Sequence, residues 1–176
     1  PARLRVRVAV ADDRRARGAG QEQPVVRRDR EAVLACVAQL GIELEAERLL
    51  EITRESLERG IAELRPGAPI SRYAGAVQSF VEAHGFSVVR DLVGHGVGHE
   101  LHEDPQVPNY VSRHMRDFVL EQGMTLALEP MINAGTFAVR IAPDDWTFIT
   151  ADGKLSAHFE DTVVITENGA EILTRV

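Results

Sequence analysis

Residues 123–135 read GMTLALEPMINAG and residues 154–166 read KLSAHFEDTVVIT, and these two stretches decide the fold class. Each is a short run of Leu, Ile, Val, Ala and Thr bounded by Gly, Asn or Lys, which is strand rather than helix texture. The stretches SVVRDLVG at 87–94, FAVRI at 137–141, WTFIT at 146–150 and EILT at 171–174 repeat it. Asp152-Gly153 and Asn168-Gly169 read as hairpin turns between such strands. Upstream of Phe86 the period changes. A helix is expected from about Glu43 to Leu64, with Leu50, Leu57, Ile61 and Leu64 inward and Pro66-Gly67 as its stop. A second is expected from about Ser71 to His84, on Ala74, Val77 and Val81. Asp29 reads as the N-cap of a shorter helix that carries Val33, Leu34, Val37 and Leu40 and stops at Gly41. Residues 3–11, RLRVRVAVA, alternate as a half-buried strand does, and a basic loop, RRARGAGQEQP, follows Asp12-Asp13. Helices followed by a sheet make an α+β fold.

Composition bounds the function. The chain has 176 residues, 44% of them apolar and 27% charged, enough for one domain with a real core. A single cysteine, Cys36, allows no internal disulfide and excludes a cysteine-rich zinc module. No apolar run reaches the roughly 20 residues of a membrane span, and no leader is legible, so the expected compartment is the cytosol. The formal net charge of −7 argues against DNA as a partner, but it is unevenly spread. Nine arginines and four acids fall in residues 1–30, a basic strand-and-loop segment set on the acidic body of 31–176.

The chemistry concentrates in three places. GHGVGHELHED supplies His95, His99 and His102, while Glu129 and Glu160 lie in the two strand-like stretches. Imidazole and carboxylate together suit a divalent metal such as Mn, Fe, Co or Zn. Glycines at 94, 96 and 98 argue against a helical zinc-protease histidine pair and suit close backbone packing instead. Each group also has a plainer reading: a surface loop for the histidines and a solvated outer face for Glu160. Glu129, among apolar neighbours, would be costly to bury without a partner. These residues by themselves reach a metal-dependent hydrolase and no further.

From Glu47 to Thr174 the chain resembles the C-terminal portion of the bacterial type I methionine aminopeptidases. Four ordered blocks carry the resemblance: ERLLEITRESLERGIAELRPG, HGFSVVRDLVGHGVGHELHEDPQVPNY, GMTLALEPMINAG and WTFITADGKLSAHFEDTVVITENGAEILT. Proline-specific aminopeptidases share the His and Glu skeleton, but PQVPNY and WTFITADGKLSAHFE are closer to the methionine enzymes. The resemblance implies a pita-bread fold, a curved antiparallel sheet backed by helices, with two divalent metals in its concavity. It implies His95, Glu129 and Glu160 as metal ligands, and Glu129 also as the proton relay to the leaving amine. It places His102 on the substrate amide, and Leu101 and Trp146 along the pocket for the methionine side chain. The implied partners are peptides and nascent chains that begin with methionine.

The first part of the chain departs from this pattern. Two further ligands of the family are aspartates, and aligning the strands puts Arg7 and Gly18 at their positions, with Asp12 and Asp13 as the nearest substitutes. Asp161 stands where the family usually has a histidine. A shortened homologue, a fragment completed by a second chain, and a misread N-terminal part all account for this. Three ligands set an expectation of at most one Co, Mn, Fe or Zn ion, with His95, Glu129 and Glu160 converging on it. The alternative reading is a catalytically impaired pita-bread module that contacts the ribosome or RNA through the basic residues 1–30, or binds another protein.

Overall fold

The computed structural model describes residues 43–175 of the chain. The strand expected at 3–11, the helix expected over 29–41, Cys36, and Arg7, Asp12, Asp13 and Gly18 lie outside the described residues.

Helix α1 spans Glu43–Ala62 and buries Ala46, Leu49, Ile52 and Leu57 at helical spacing. Thr53 and Ser56 share that buried stripe, and each hydroxyl donates back to a helix carbonyl, at Leu49 and Thr53, so neither is left unpaired. Leu57 and Leu64 are buried as expected, whereas Leu50 and Ile61 pack only partly against the core. Pro66 and Gly67, the latter at φ +81°, turn the chain out of the helix. Helix α2 spans Ser71–Ala83 and buries Tyr73, Ala74, Val77 and Val81. Asp117, distant in sequence, caps it by accepting from the Ser71 backbone N–H and hydroxyl at 3.1 and 2.8 Å. A side chain at Gly60 would sit 2.6 Å from the Tyr73 ring, so this glycine lets α2 pack against the α1 backbone.

Ten strands follow: β1 (Ser87–Val88), β2 (Gly94–Gly96), β3 (Glu103–Val107), β4 (Thr125–Leu128), β5 (Met131–Asn133), β6 (Val139–Ile141), β7 (Phe148–Thr150), β8 (Ser156–His158), β9 (Asp161–Thr166) and β10 (Gly169–Ile172). They form a five-stranded antiparallel sheet in the order β10-β9-β4-β2-β3, a three-stranded one in the order β1-β5-β8, and the β6-β7 hairpin. Helix α1 lies against β5, β8 and β10, and α2 against β1.

The two stretches that decide the fold are each split between sheets. TLALEPMIN breaks at Glu129-Pro130 and SAHFEDTVVIT at Phe159-Glu160. Pro130 has no N–H to give a ladder, which favours a break there. Thr125 to Leu128 pair with Val164 to Asp161, and Met131 to Asn133 pair with His158 to Ser156. The register is the same on both sides of the gap, which sets Glu129 opposite Glu160. Along the second strand Ala157, Phe159, Asp161, Val163 and Ile165 are buried in alternation. Ser156, His158, Glu160 and Thr162 therefore share the opposite face.

Two turns differ from expectation in different ways. Asn168-Gly169 closes the β9-β10 hairpin, but Thr166 pairs with Gly169, so the loop residues are Glu167 and Asn168. Asp152-Gly153 is a turn, with Gly153 at φ +72°, yet it joins two sheets rather than a hairpin, because β7 pairs with β6 and β8 with β5. A dipeptide reports local curvature and cannot say which strands pair across it.

Candidate metal centre

The face opposite the helices gathers the polar residues. His95 pairs with Ala127, two residues before Glu129, so the pleat directs His95 and Glu129 to one side. The glycines flanking His95 make this possible: a side chain at Gly94 would strike the Ala127 carbonyl, and one at Gly96 the Asp104 backbone. His95 Nδ1 lies 2.8 Å from the Gly96 carbonyl oxygen, which makes Nδ1 the donor and leaves Nε2 free. That Nε2 is 3.7 Å from Glu129 Oε1.

His158 was not singled out by its sequence context. Its Nε2 lies 3.3 Å from Glu129 Oε2. The same nitrogen is buried and has no hydrogen-bond partner, so the short approach is misaligned for a hydrogen bond. Ligand atoms of Glu129, His158 and Glu160 all fall within 4.8 Å of one another. The signal was present in the spacing His158-Phe159-Glu160, since residues two apart on a strand share a face.

The side chains of His95, Glu129 and His158 are only 14%, 17% and 22% exposed, whereas Glu160 is exposed. Like charges directly opposite on paired strands repel, and Glu129 faces Glu160 across the ribbon. Two carboxylates and the orphaned His158 nitrogen suit a divalent cation, and the residues present fit one; His95, expected to converge with Glu129 and Glu160, approaches Glu129 but falls outside the group.

The other expected site residues stand around this group. The His102 ring packs against His95 with centroids 4.2 Å apart. Leu101 and Trp146 are 72% and 79% exposed, and His99 is exposed outside the cluster. Asp161 alternates away from Glu160 and is buried on the helix side against Arg175. It therefore does not join the metal face.

Behind the site, the Tyr73 hydroxyl donates to Asn109 Oδ1 at 2.7 Å, and Asn109 Nδ2 donates to the Glu129 carbonyl at 3.4 Å. This buried relay ties α2 to the strand break. Burial, and secondarily the Glu129 charge, pushes the Tyr73 phenol far above its usual range. Because the folded-state value is raised, the contribution is intact below about pH 10 and is lost above it, at about 1.4 kcal/mol per pH unit. Tyr73→Phe is expected to cost about 1 kcal/mol at neutral pH and to flatten the alkaline loss. Urea unfolding at pH 7 and pH 11 checks both, and an alkaline slope equal to wild type refutes the role given to Tyr73.

A family model described as metallopeptidase family M24 matches residues 33–167. The chain belongs to this family. Methionine aminopeptidase 1 of Bacillus subtilis is 53% identical over 129 residues, 73% of this M24 chain and 52% of that protein. Methionine aminopeptidase of Escherichia coli is 50% identical over 128 residues, 73% of this chain and 48% of that one. The crystal structure of methionine aminopeptidase from Thermotoga maritima superimposes with a TM-score of 0.70 at 51% identity, covering 74% of this chain and 52% of that one. A prolidase from Pyrococcus furiosus is more distant, at a TM-score of 0.54 and 28% identity over 74% of this chain and 32% of that one. The fold is thus the expected pita-bread type, with antiparallel sheets backed by helices. The M24 chain spans about half the length of the curated relatives it matches. A metallopeptidase family implies a divalent metal, and among the described residues Glu129, His158 and Glu160 form the group able to hold one. No helix of the described residues is long and apolar enough to cross a membrane.

Proposed function

We propose that this chain forms the metal-binding half of a methionine aminopeptidase, a cytosolic hydrolase that removes N-terminal methionine from nascent proteins or peptides. The observation that carries this reading is Glu129 held opposite Glu160 with His95 Nε2 3.7 Å away, in a chain half identical to relatives of that name.

In this reading His95, Glu129 and Glu160 hold one Co, Mn, Fe or Zn ion, which would supply Lewis-acid polarisation and a water acidified toward neutral pH. Glu129, under low exposure, takes the proton of the attacking water on a carboxylate oxygen and passes it to the leaving amide nitrogen. His102 stands beside His95 and is exposed, so its free ring nitrogen can donate to the oxygen of the first peptide carbonyl as charge develops there. Leu101 and Trp146 present uncovered apolar surface that suits an unbranched thioether side chain. Contact with ribosomal RNA through the nine arginines of residues 1–30 is a finer part of the proposal, and it should weaken steeply with salt.

Purified protein supplied with Mn or Co is expected to release methionine from a Met-Ala peptide and to leave a Leu-Ala peptide intact. Absence of turnover with Co, Mn, Fe and Zn overturns the reading for this chain.

A further inference from the structure

We infer that His158 is itself a metal ligand, joining Glu129 and Glu160 around one divalent ion. This rests on the metal-centre part of the proposal and is independent of methionine release.

Three observations converge on it. Strand alternation puts His158 on the same face as Glu160, and the shared register puts Glu129 across from that pair. His158 Nε2 is buried without a hydrogen-bond partner, and an imidazole nitrogen pays for such isolation unless something accepts its lone pair. The third is distance. Two donors on one tetrahedral ion, each bound at about 2.0–2.1 Å, stand about 3.3–3.4 Å apart. His158 Nε2 and Glu129 Oε2 are 3.3 Å apart and misaligned for a hydrogen bond. His95 adds a second nitrogen, its tautomer set by the Gly96 carbonyl, at 3.7 Å from the other Glu129 oxygen. Glu129 thus faces one imidazole with each oxygen, and the exposed Glu160 completes the group with Glu129 and His158, from which His95 stands apart.

The set has consequences for charge and metal choice. Two carboxylates and one neutral imidazole neutralise a divalent ion with no further protein charge. An imidazole nitrogen among the donors favours Zn, Co or Fe over Mg or Ca, which prefer oxygen.

The test uses the full chain. Zinc and cobalt affinities are measured by calorimetry for wild type, His158→Gln, His95→Gln and His99→Gln, with unfolding of the metal-free proteins as the folding control. Long-range proton–nitrogen NMR spectra of the imidazole rings are recorded with and without zinc. His158→Gln should weaken zinc binding at least about tenfold, since even partners outside the ligand shell typically cost 10–100-fold. His99→Gln should leave affinity unchanged. In wild type the Nε2 signal of His158 should move on zinc addition, while those of His99 and His114 stay. If His158 is a protonated partner of Glu129 instead, its Nε2 signal will not move and His158→Gln will bind zinc as wild type does; either result overturns the inference. So does a wild-type protein that binds neither metal. Zinc bound through His158 in a chain that releases no methionine would uphold this inference and defeat only the aminopeptidase reading.

Discussion

Glu129→Ala is expected to lower methionine release from a Met-Ala peptide by at least about 10³-fold, because the proposed function makes one side chain both ligand and proton carrier. Each of its oxygens faces an imidazole, His95 at 3.7 Å and His158 at 3.3 Å, so its removal takes a donor from the centre of the group. Divalent metal affinity should fall with activity. Stability of the metal-free protein should not fall when the change is Glu129→Gln, since the opposed Glu160 then loses a like charge across the ribbon. The Glu129 carbonyl keeps its bond from Asn109 in either variant. Steady-state assays with Mn and Co, beside thermal unfolding without metal, separate the two effects. Turnover by Glu129→Ala above a tenth of the wild-type rate would sink the role given to Glu129.

The second large effect concerns stability. Asp161 is 2% exposed, and its carboxylate accepts from Arg175 Nη2 at 2.6 Å, Arg175 Nε at 3.2 Å and the Thr174 hydroxyl at 2.9 Å. Arg175 Nη1 also reaches Glu58 of α1 at 3.2 Å. Hydrogen bonds donated to Asp161 hold the guanidinium pKa above its ordinary value. Removing one partner of such a pair leaves a buried charge, so Arg175→Met should cost about 3 kcal/mol. That is the low end of the usual range, because the Arg175 side chain is 46% exposed and the pair is partly screened. Combining it with Asp161→Val should recover stability to within about 1 kcal/mol of wild type, as replacing both members of a buried pair often does. Urea midpoints at constant slope measure all three proteins. A loss below about 0.5 kcal/mol in Arg175→Met would mean that Asp161 is solvated rather than clamped. Because Asp161 follows Glu160 directly, loosening this clamp should also weaken metal binding.

Much of the architecture is legible in one dimension. Helical spacing of Ala74, Val77 and Val81, and the stop at Pro66-Gly67, describe α1 and α2 nearly to their ends, because backbone geometry and one buried stripe decide a helix locally. The strand texture after Phe86 is local in the same sense, and so is the suspicion that Glu129, set among apolar neighbours, needs a partner. Pairing is not local. Sequence reading takes TLALEPMIN and SAHFEDTVVIT as single strands, whereas the fold divides each between two sheets and opposes the divisions. Glu129 and Glu160 become neighbours only through that register. The same holds for His158. Its spacing from Glu160 is written in the chain, but the buried, partnerless nitrogen beside Glu129 exists only once β5 and β8 pair. Asp161 shows the converse: one residue from the proposed ligand Glu160, it turns by strand alternation to the helix side and takes Arg175. Spacing along the chain states which side chains share a face, and long-range pairing decides which faces meet.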